Sequence, residues 1–141
     1  MKLALLAVGK LKDAWAKEGC AEYARRILTR LPFTEIEVRD DAELARRIPE
    51  RLSLWVLDSR GKQLTSEELA GRLRTMMNEG APGIAFVIGG ADGVPAPIVK
   101  QANTIWSLGK GTLPHRLARL VATEQIYRAL TIVRGEPYHH G

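Results

Sequence analysis

Two hydrophobic periods alternate along the chain from end to end. Lys2–Val8 (KLALLAV) is a nearly continuous apolar run stopped by Gly9, the pattern of a strand buried on both faces. Across Asp13–Thr29 the apolar positions are Ala16, Cys20, Tyr23, Ala24, Ile27 and Leu28, which is helical spacing with Asp13 placed as the N-cap. Phe33–Val38 follows Pro32 and sets Phe33, Ile36 and Val38 against Thr34, Glu35 and Glu37, predicting a second strand. Asp40–Ile48 reads as a short charged helix ended by Pro49, and Leu52–Leu57 as a third strand closed by a turn over Asp58–Lys62. Thr65–Asn78 opens with TSEE, which puts Ser66 and two carboxylates at a helix start. A fourth strand at Ile84–Ile88, a short helix at Pro95–Ala102 and a fifth strand at Thr104–Leu108 follow. A long helix then runs from Pro114 to about Val133, before a tail ending PYHHG. Such alternation predicts an α/β fold, a mostly parallel sheet flanked by helices, in one domain over residues 1–141.

Composition narrows the class. With 45% apolar and 26% charged residues, the chain is that of an ordered globular protein. No apolar run approaches the roughly 20 residues that cross a bilayer, so no membrane partner is expected. Gly9-Lys10-Leu11-Lys12 is a poor cleavage site, so the apolar start is read as a strand and the protein as cytoplasmic. The single cysteine, Cys20, leaves no internal disulfide and no cysteine-cluster metal site. His139 and His140 are adjacent rather than four apart on a helix, so no metal site is expected. A formal charge of +5 is compatible with a polyanionic partner. Lys10, Lys12, Arg25, Arg26, Lys110, Arg116, Arg119 and Arg134 are the candidate phosphate contacts.

The chemistry concentrates after the fourth strand. Phe86–Val94 reads FVIGGADGV, an apolar run broken by three glycines. It matches neither G-x-G-x-x-G after a first strand nor a P-loop, which leaves a plain turn or a floor beneath a ligand. A second glycine-flanked loop, SLGKGTLPH at residues 107–115, follows the next strand. In a parallel sheet the loops at strand carboxyl ends line the ligand crevice. Leu57-Asp58, Gly89-Gly90 and Lys110–His115 would converge there. The long helix is apolar around much of its girth (Leu117, Leu120, Val121, Ile126, Tyr127, Leu130), which predicts a second buried surface supplied by another copy of the chain. Glu124 falls inside that stripe, with Arg128 at i+4 as its natural partner.

FVIGGADG, WSL…TLPH, LARLVATEQIYRA and the terminal PYH, in this order, resemble the SPOUT-class (α/β-knot) methyltransferases that act on a pseudouridine of large-subunit (23S) ribosomal RNA. The opening MKLALLAVGKLKD and the VLDSRGK segment extend the likeness over nearly the whole chain. The resemblance implies a C-terminal trefoil knot, a homodimer, and methylation at N3 of the pseudouridine. It also implies S-adenosyl-L-methionine as cofactor, held at Leu57, Gly90, Lys110, Gly111, Thr112, Leu113, Pro114 and His115. On it the glycine turn is a floor under adenosine, and Gly90→Val should block the cofactor while sparing the fold. The partner it implies is the large ribosomal subunit or the assembled ribosome. Two features depart from the family: the connection between the second and third strands is only Arg39–Arg51, and His140 stands where a cation commonly follows PYH.

The N3 nitrogen becomes a nucleophile only on deprotonation, so a base and a stabilising cation are needed. The candidates are His139 as proton acceptor or RNA-positioning group, Arg128 as the cation and Tyr138 as a positioning or stacking residue. For Arg128 an ion pair with Glu124 is the competing role. Two other readings stay open at this level: a catalytically silent RNA-binding module, and an unknotted nucleotide-binding α/β protein.

Overall fold

The computed structural model describes residues 1–140, with side chains through Tyr138. Five strands, β1 (Lys2–Val8), β2 (Phe33–Val38), β3 (Ser53–Gln63), β4 (Gly83–Ile88) and β5 (Thr104–Ser107), form one sheet in the order β2-β1-β4-β3-β5. Every pairing is parallel, with Leu3 beside both Phe33 and Ile84, and Leu57 beside Trp106. The helices are α1 (Ala14–Leu28), α2 (Asp41–Arg47), α3 (Ser66–Asn78), α4 (Ala96–Val99) and α5 (His115–Val133), followed by a 3₁₀ turn at Pro137–His140.

Strand alternation sends successive side chains to opposite faces, and here both faces are covered. Leu3, Leu5, Trp55, Phe86 and Trp106 pack under α1, α3 and α5 through Ile27, Leu73 and Ile126. Ala4, Leu6, Val56 and Val87 meet Leu44 of α2 and Ile98 of α4 on the other face. All of β4 is buried, which is why GIAFVI is an unbroken apolar run. Trp55, Phe86 and Trp106 meet at centroid distances of 5.5, 6.1 and 5.8 Å, a rigid aromatic wedge beneath the strand ends.

α1 and α5 run side by side in the same sense. Asp13 reaches Arg116, Leu120 packs into the notch left by Gly19, Tyr23 stacks near Tyr127 at 5.9 Å, and Arg30 pairs with Glu136. α3 covers the other flank of α5. Much of the apolar girth of α5 is therefore met inside the chain, and girth alone does not require a second copy.

Two local expectations are corrected and a third gains its cap. Asp13 is the N-cap of α1 by backbone geometry, but its carboxylate makes no capping bond and instead binds Arg116 at 2.9 Å. α3 begins at Ser66 with Glu67 and Glu68 in its first turn, as expected, and its cap is Thr65, whose side chain accepts from Glu68 N while Glu68 reaches back to Thr65 N; Ser66 donates to Gln125 at 2.8 Å. β3 does not end at Leu57. The chain detours over residues 58–61 and returns to Trp106 at Lys62. That return needs Gly61, because a Cβ there would lie 2.4 Å from the Ile105 carbonyl oxygen.

Candidate active site

The carboxyl ends of β3, β4 and β5 open onto one crevice of about 620 Å³. Leu57, Gly90, Gly111, Thr112, Leu113, Pro114 and His115 all line it, so seven of the eight positions expected to hold a cofactor are brought together. Lys110 is the exception: it is exposed and does not line the crevice, although both flanking glycines do. Asp58, expected at this edge beside Leu57, lines the crevice too, whereas Arg60 on the detour of β3 and Ala118 in the first turn of α5 were not foreseen.

The glycines divide the work. Gly93, at φ +80°, turns the loop so that its N–H reaches the Gly90 carbonyl at 3.0 Å. A Cβ on Gly89 would stand 2.2 Å from the Gly93 carbonyl carbon, so the loop closes only over a bare Cα. A Cβ on Gly90 would instead meet Val8 Cγ1 at 3.3 Å. The space behind Gly90 is thus bounded by β1, and Gly90→Val would strain that strand as well as alter the crevice. On the facing loop, Ser107 Oγ donates to the Gly109 carbonyl at 2.8 Å and accepts from its N–H at 3.1 Å.

Asp58 accepts from the Arg60 backbone N–H at 2.8 Å and from its guanidinium at 2.8 and 3.0 Å. The guanidinium bond holds the Asp58 carboxyl below its usual range, so the crevice keeps one anion and one cation on the same wall. On the other wall α5 starts at Pro114 with no side-chain cap, leaving first-turn N–H groups free for an acceptor.

The second group of candidates lies elsewhere. Glu124 Oε2 accepts from Arg128 at 2.8 and 3.2 Å and from the Tyr138 hydroxyl at 2.8 Å. The Arg128 guanidinium also sits 5.0 Å over the Tyr138 ring, which packs edge-on against Tyr127 at 4.6 Å. The bond to Glu124 raises the Arg128 pKa, keeping it charged. Burial raises the Tyr138 phenol, reinforced by its bonds to Tyr23 and Glu124, so Tyr138 stays protonated and is no proton acceptor. The His139 side chain lies outside the described residues. Arg128 is ten residues beyond Ala118, the last residue of α5 that lines the crevice, which at 1.5 Å per residue is about 15 Å along the helix. Within a protomer the structure does not bring the tail cluster to the crevice.

Most of the arginines expected to touch phosphate are engaged. Arg25 and Arg26 bind Glu22, Arg116 binds Asp13, and Arg134 binds Glu136. Arg119 is buried, with Glu37 at 2.6 Å and Glu35 at 3.5 Å. Burial raises the Glu35 pKa against the pull of Arg119.

A five-stranded parallel sheet with a loop-built crevice at its carboxyl edge defines an α/β ligand-binding protein, and comparison with known proteins gives the class. Residues 1–139 match the model of a family described as "Predicted SPOUT methyltransferase". The chain belongs to the SPOUT methyltransferase family. Among curated relatives, the ribosomal RNA large subunit methyltransferase H of Sorangium cellulosum is 41% identical over 99% of this chain and 100% of its own length. The protein of the same name from Limosilactobacillus fermentum is 39% identical over 99% of both chains. A probable methylase family protein from Haemophilus influenzae shares the fold, with TM-score 0.61 and 11% identity over 96% of this chain and 69% of its own.

Proposed function

We propose that this protein is an S-adenosyl-L-methionine-dependent methyltransferase acting on N3 of a pseudouridine in large-subunit ribosomal RNA, in the cytoplasm and as a homodimer with the knotted C-terminus of its family. The observation that carries the reading is the convergence of the β3, β4 and β5 loops on one crevice in a chain with full-length relatives named as large-subunit rRNA methyltransferases.

The crevice fits the donor in size and chemistry. Its volume of about 620 Å³ lies in the range of small-molecule sites. Leu57, Ile88, Trp106, Leu108 and Leu113 give apolar walls for a flat base, and Gly89 and Gly90 leave backbone groups uncovered. The free N–H groups at the start of α5 suit a carboxylate, and Asp58 suits a cationic or hydroxyl group. When bound, the donor supplies an electrophilic methyl group on a sulfonium. The chain must align that carbon with the nucleophile at roughly 3–3.5 Å, exclude water and accept the N3 proton. Arg128 stays cationic and favours the deprotonated base. Tyr138 positions Arg128 through Glu124, and His139 is the remaining candidate for the proton. Because this group stands about 15 Å along α5 from the last residue that lines the crevice, it serves the crevice of a second copy.

Mass spectrometry of large-subunit rRNA digests tests the function. Deleting the gene removes one methylated pseudouridine and restoring it returns the mark; an unchanged digest overturns the proposal.

A further inference from the structure

The three tryptophans divide into two kinds. Trp55 and Trp106 are each 2% exposed and pack edge to face. Trp15, the second residue of α1, is 48% exposed and forms no aromatic pair among the described residues. A single exposed apolar side chain is ordinary on a protein surface. Trp15 stands out for where it is held and what surrounds it.

The loop that leads to α1 leaves β1 immediately after Val8, the residue against Gly90 in the crevice floor. Glu37 accepts from the Leu11 N–H at 3.2 Å while bound to buried Arg119, which fixes the loop to β2 and α5. Asp13 then ties the start of α1 to Arg116 at 2.9 Å, in the turn of α5 whose His115 and Ala118 wall the crevice. Trp15 lies two residues beyond that tie, at the crevice end of the molecule. Around it Lys10, Lys12 and Lys17 are exposed and form no ion pair among the described residues, although Lys10 is close enough to help lower the pKa of Glu37. The only acid of residues 9–18 outside an ion pair is Glu18.

We propose that Trp15 is a stacking platform for an unpaired base of the RNA substrate close to the target nucleotide, with Lys12 and Lys17 taking adjacent phosphates. An aromatic face offers every base the same π surface, and flanking cations hold the backbone. A rigid two-torsion side chain on an anchored turn loses little freedom on binding. The proposal rests on the rRNA methyltransferase reading above.

The test uses full-length wild type, Trp15→Ala, Trp15→Phe and the double variant Lys12→Ala/Lys17→Ala, with ribosomes from cells lacking the gene as substrate. Trp15→Ala should raise KM for ribosomes roughly 5- to 150-fold, the range for losing one base stacked on one aromatic. It should leave kcat at saturation within about twofold, and Trp15→Phe should recover most of the loss. Donor affinity by calorimetry should be unchanged in all variants. The lysine variant should lower the slope of log affinity against log salt by roughly 0.7–0.9 per residue removed. An unchanged KM in Trp15→Ala overturns the proposal. So does a Trp15→Ala chain that sediments as a smaller species and regains wild-type KM at concentrations that restore the larger one, since Trp15 would then face a second copy. If wild type binds the donor yet methylates no ribosome, the functional reading itself fails and takes this proposal with it.

Discussion

Gly89 and Gly90 are neighbours in the crevice floor with unequal tolerance for a side chain. A Cβ at Gly89 would meet backbone, the Gly93 carbonyl carbon at 2.2 Å, and no rotamer relieves that contact. A Cβ at Gly90 meets the end of the Val8 side chain at 3.3 Å, which a small rotation eases. Gly89→Ala should therefore cost more than about 2 kcal/mol and at least tenfold in donor affinity, through reshaping of the loop. Gly90→Ala should cost less than about 1 kcal/mol, or about 4 °C in melting temperature for a chain of this size. Thermal melts with and without donor read both, and equal losses for the two variants would refute this division. Leu57, Gly90 and residues 111–115 were legible in the sequence because a parallel sheet delivers those loops to one edge. Asp58 was placed at that edge as well, but Arg60 was not, because a polar stretch after a strand reads as an exit turn. Only the approach of Gly61 to Ile105 turns that stretch back into the sheet.

At the scale of elements, the same contrast separates local from non-local causes. β1 and β2 have the bounds that Gly9 and Pro32 announce in the sequence. The caps were less legible, since TSEE holds two hydroxyls, and what selects Thr65 is that Ser66 finds Gln125 across the α3–α5 contact. Thr65→Ala should cost about 1 kcal/mol in urea unfolding, the usual loss for a helix cap. Ser66→Ala should cost less while weakening the α3–α5 contact; the opposite ranking would assign the cap to Ser66. The tail has its own fastening. The bond from Arg30 holds the Glu136 carboxyl below its usual range. The ionised form is the one bound, so the tie is at full strength above the ordinary carboxylate pKa of about 4.3 and is lost as pH falls through the lowered value. The Gly135 and Glu136 N–H groups bond to Ile132 and Thr131. Their exchange protection should persist at about pH 6 and fall under acid, below about pH 4.3, before that of the sheet. Protection that lasts as long as that of the sheet as pH falls would assign the tail's anchorage to Tyr138 packing instead.

For the whole molecule, the separation of crevice and tail cluster is what a test of a shared site can read. One protomer holds a loop-lined crevice at the start of α5 and a charged, aromatic cluster toward its end. The helix keeps them about 15 Å apart, whereas methyl transfer tolerates roughly 3–3.5 Å between reacting atoms. No rotamer change closes that gap, so if Arg128 acts on the substrate it acts in the crevice of another copy, and a two-fold arrangement completes both sites at once. Gly111, where a Cβ would meet nothing within 4 Å, can accept Leu as a crevice-filling change without backbone conflict. Arg128→Ala removes the cation and leaves Glu124 bonded to Tyr138. Each variant alone should methylate ribosomes poorly. Mixed in equal amounts and allowed to exchange subunits, they form mixed dimers in half of the population. Each mixed dimer joins an intact crevice to an intact tail at one of its two sites, so activity should recover to about a quarter of wild type. Recovery that requires subunit exchange identifies a shared site. A mixture no more active than its components would mean that each protomer completes its own chemistry, and Arg128 would revert to a structural partner of Glu124.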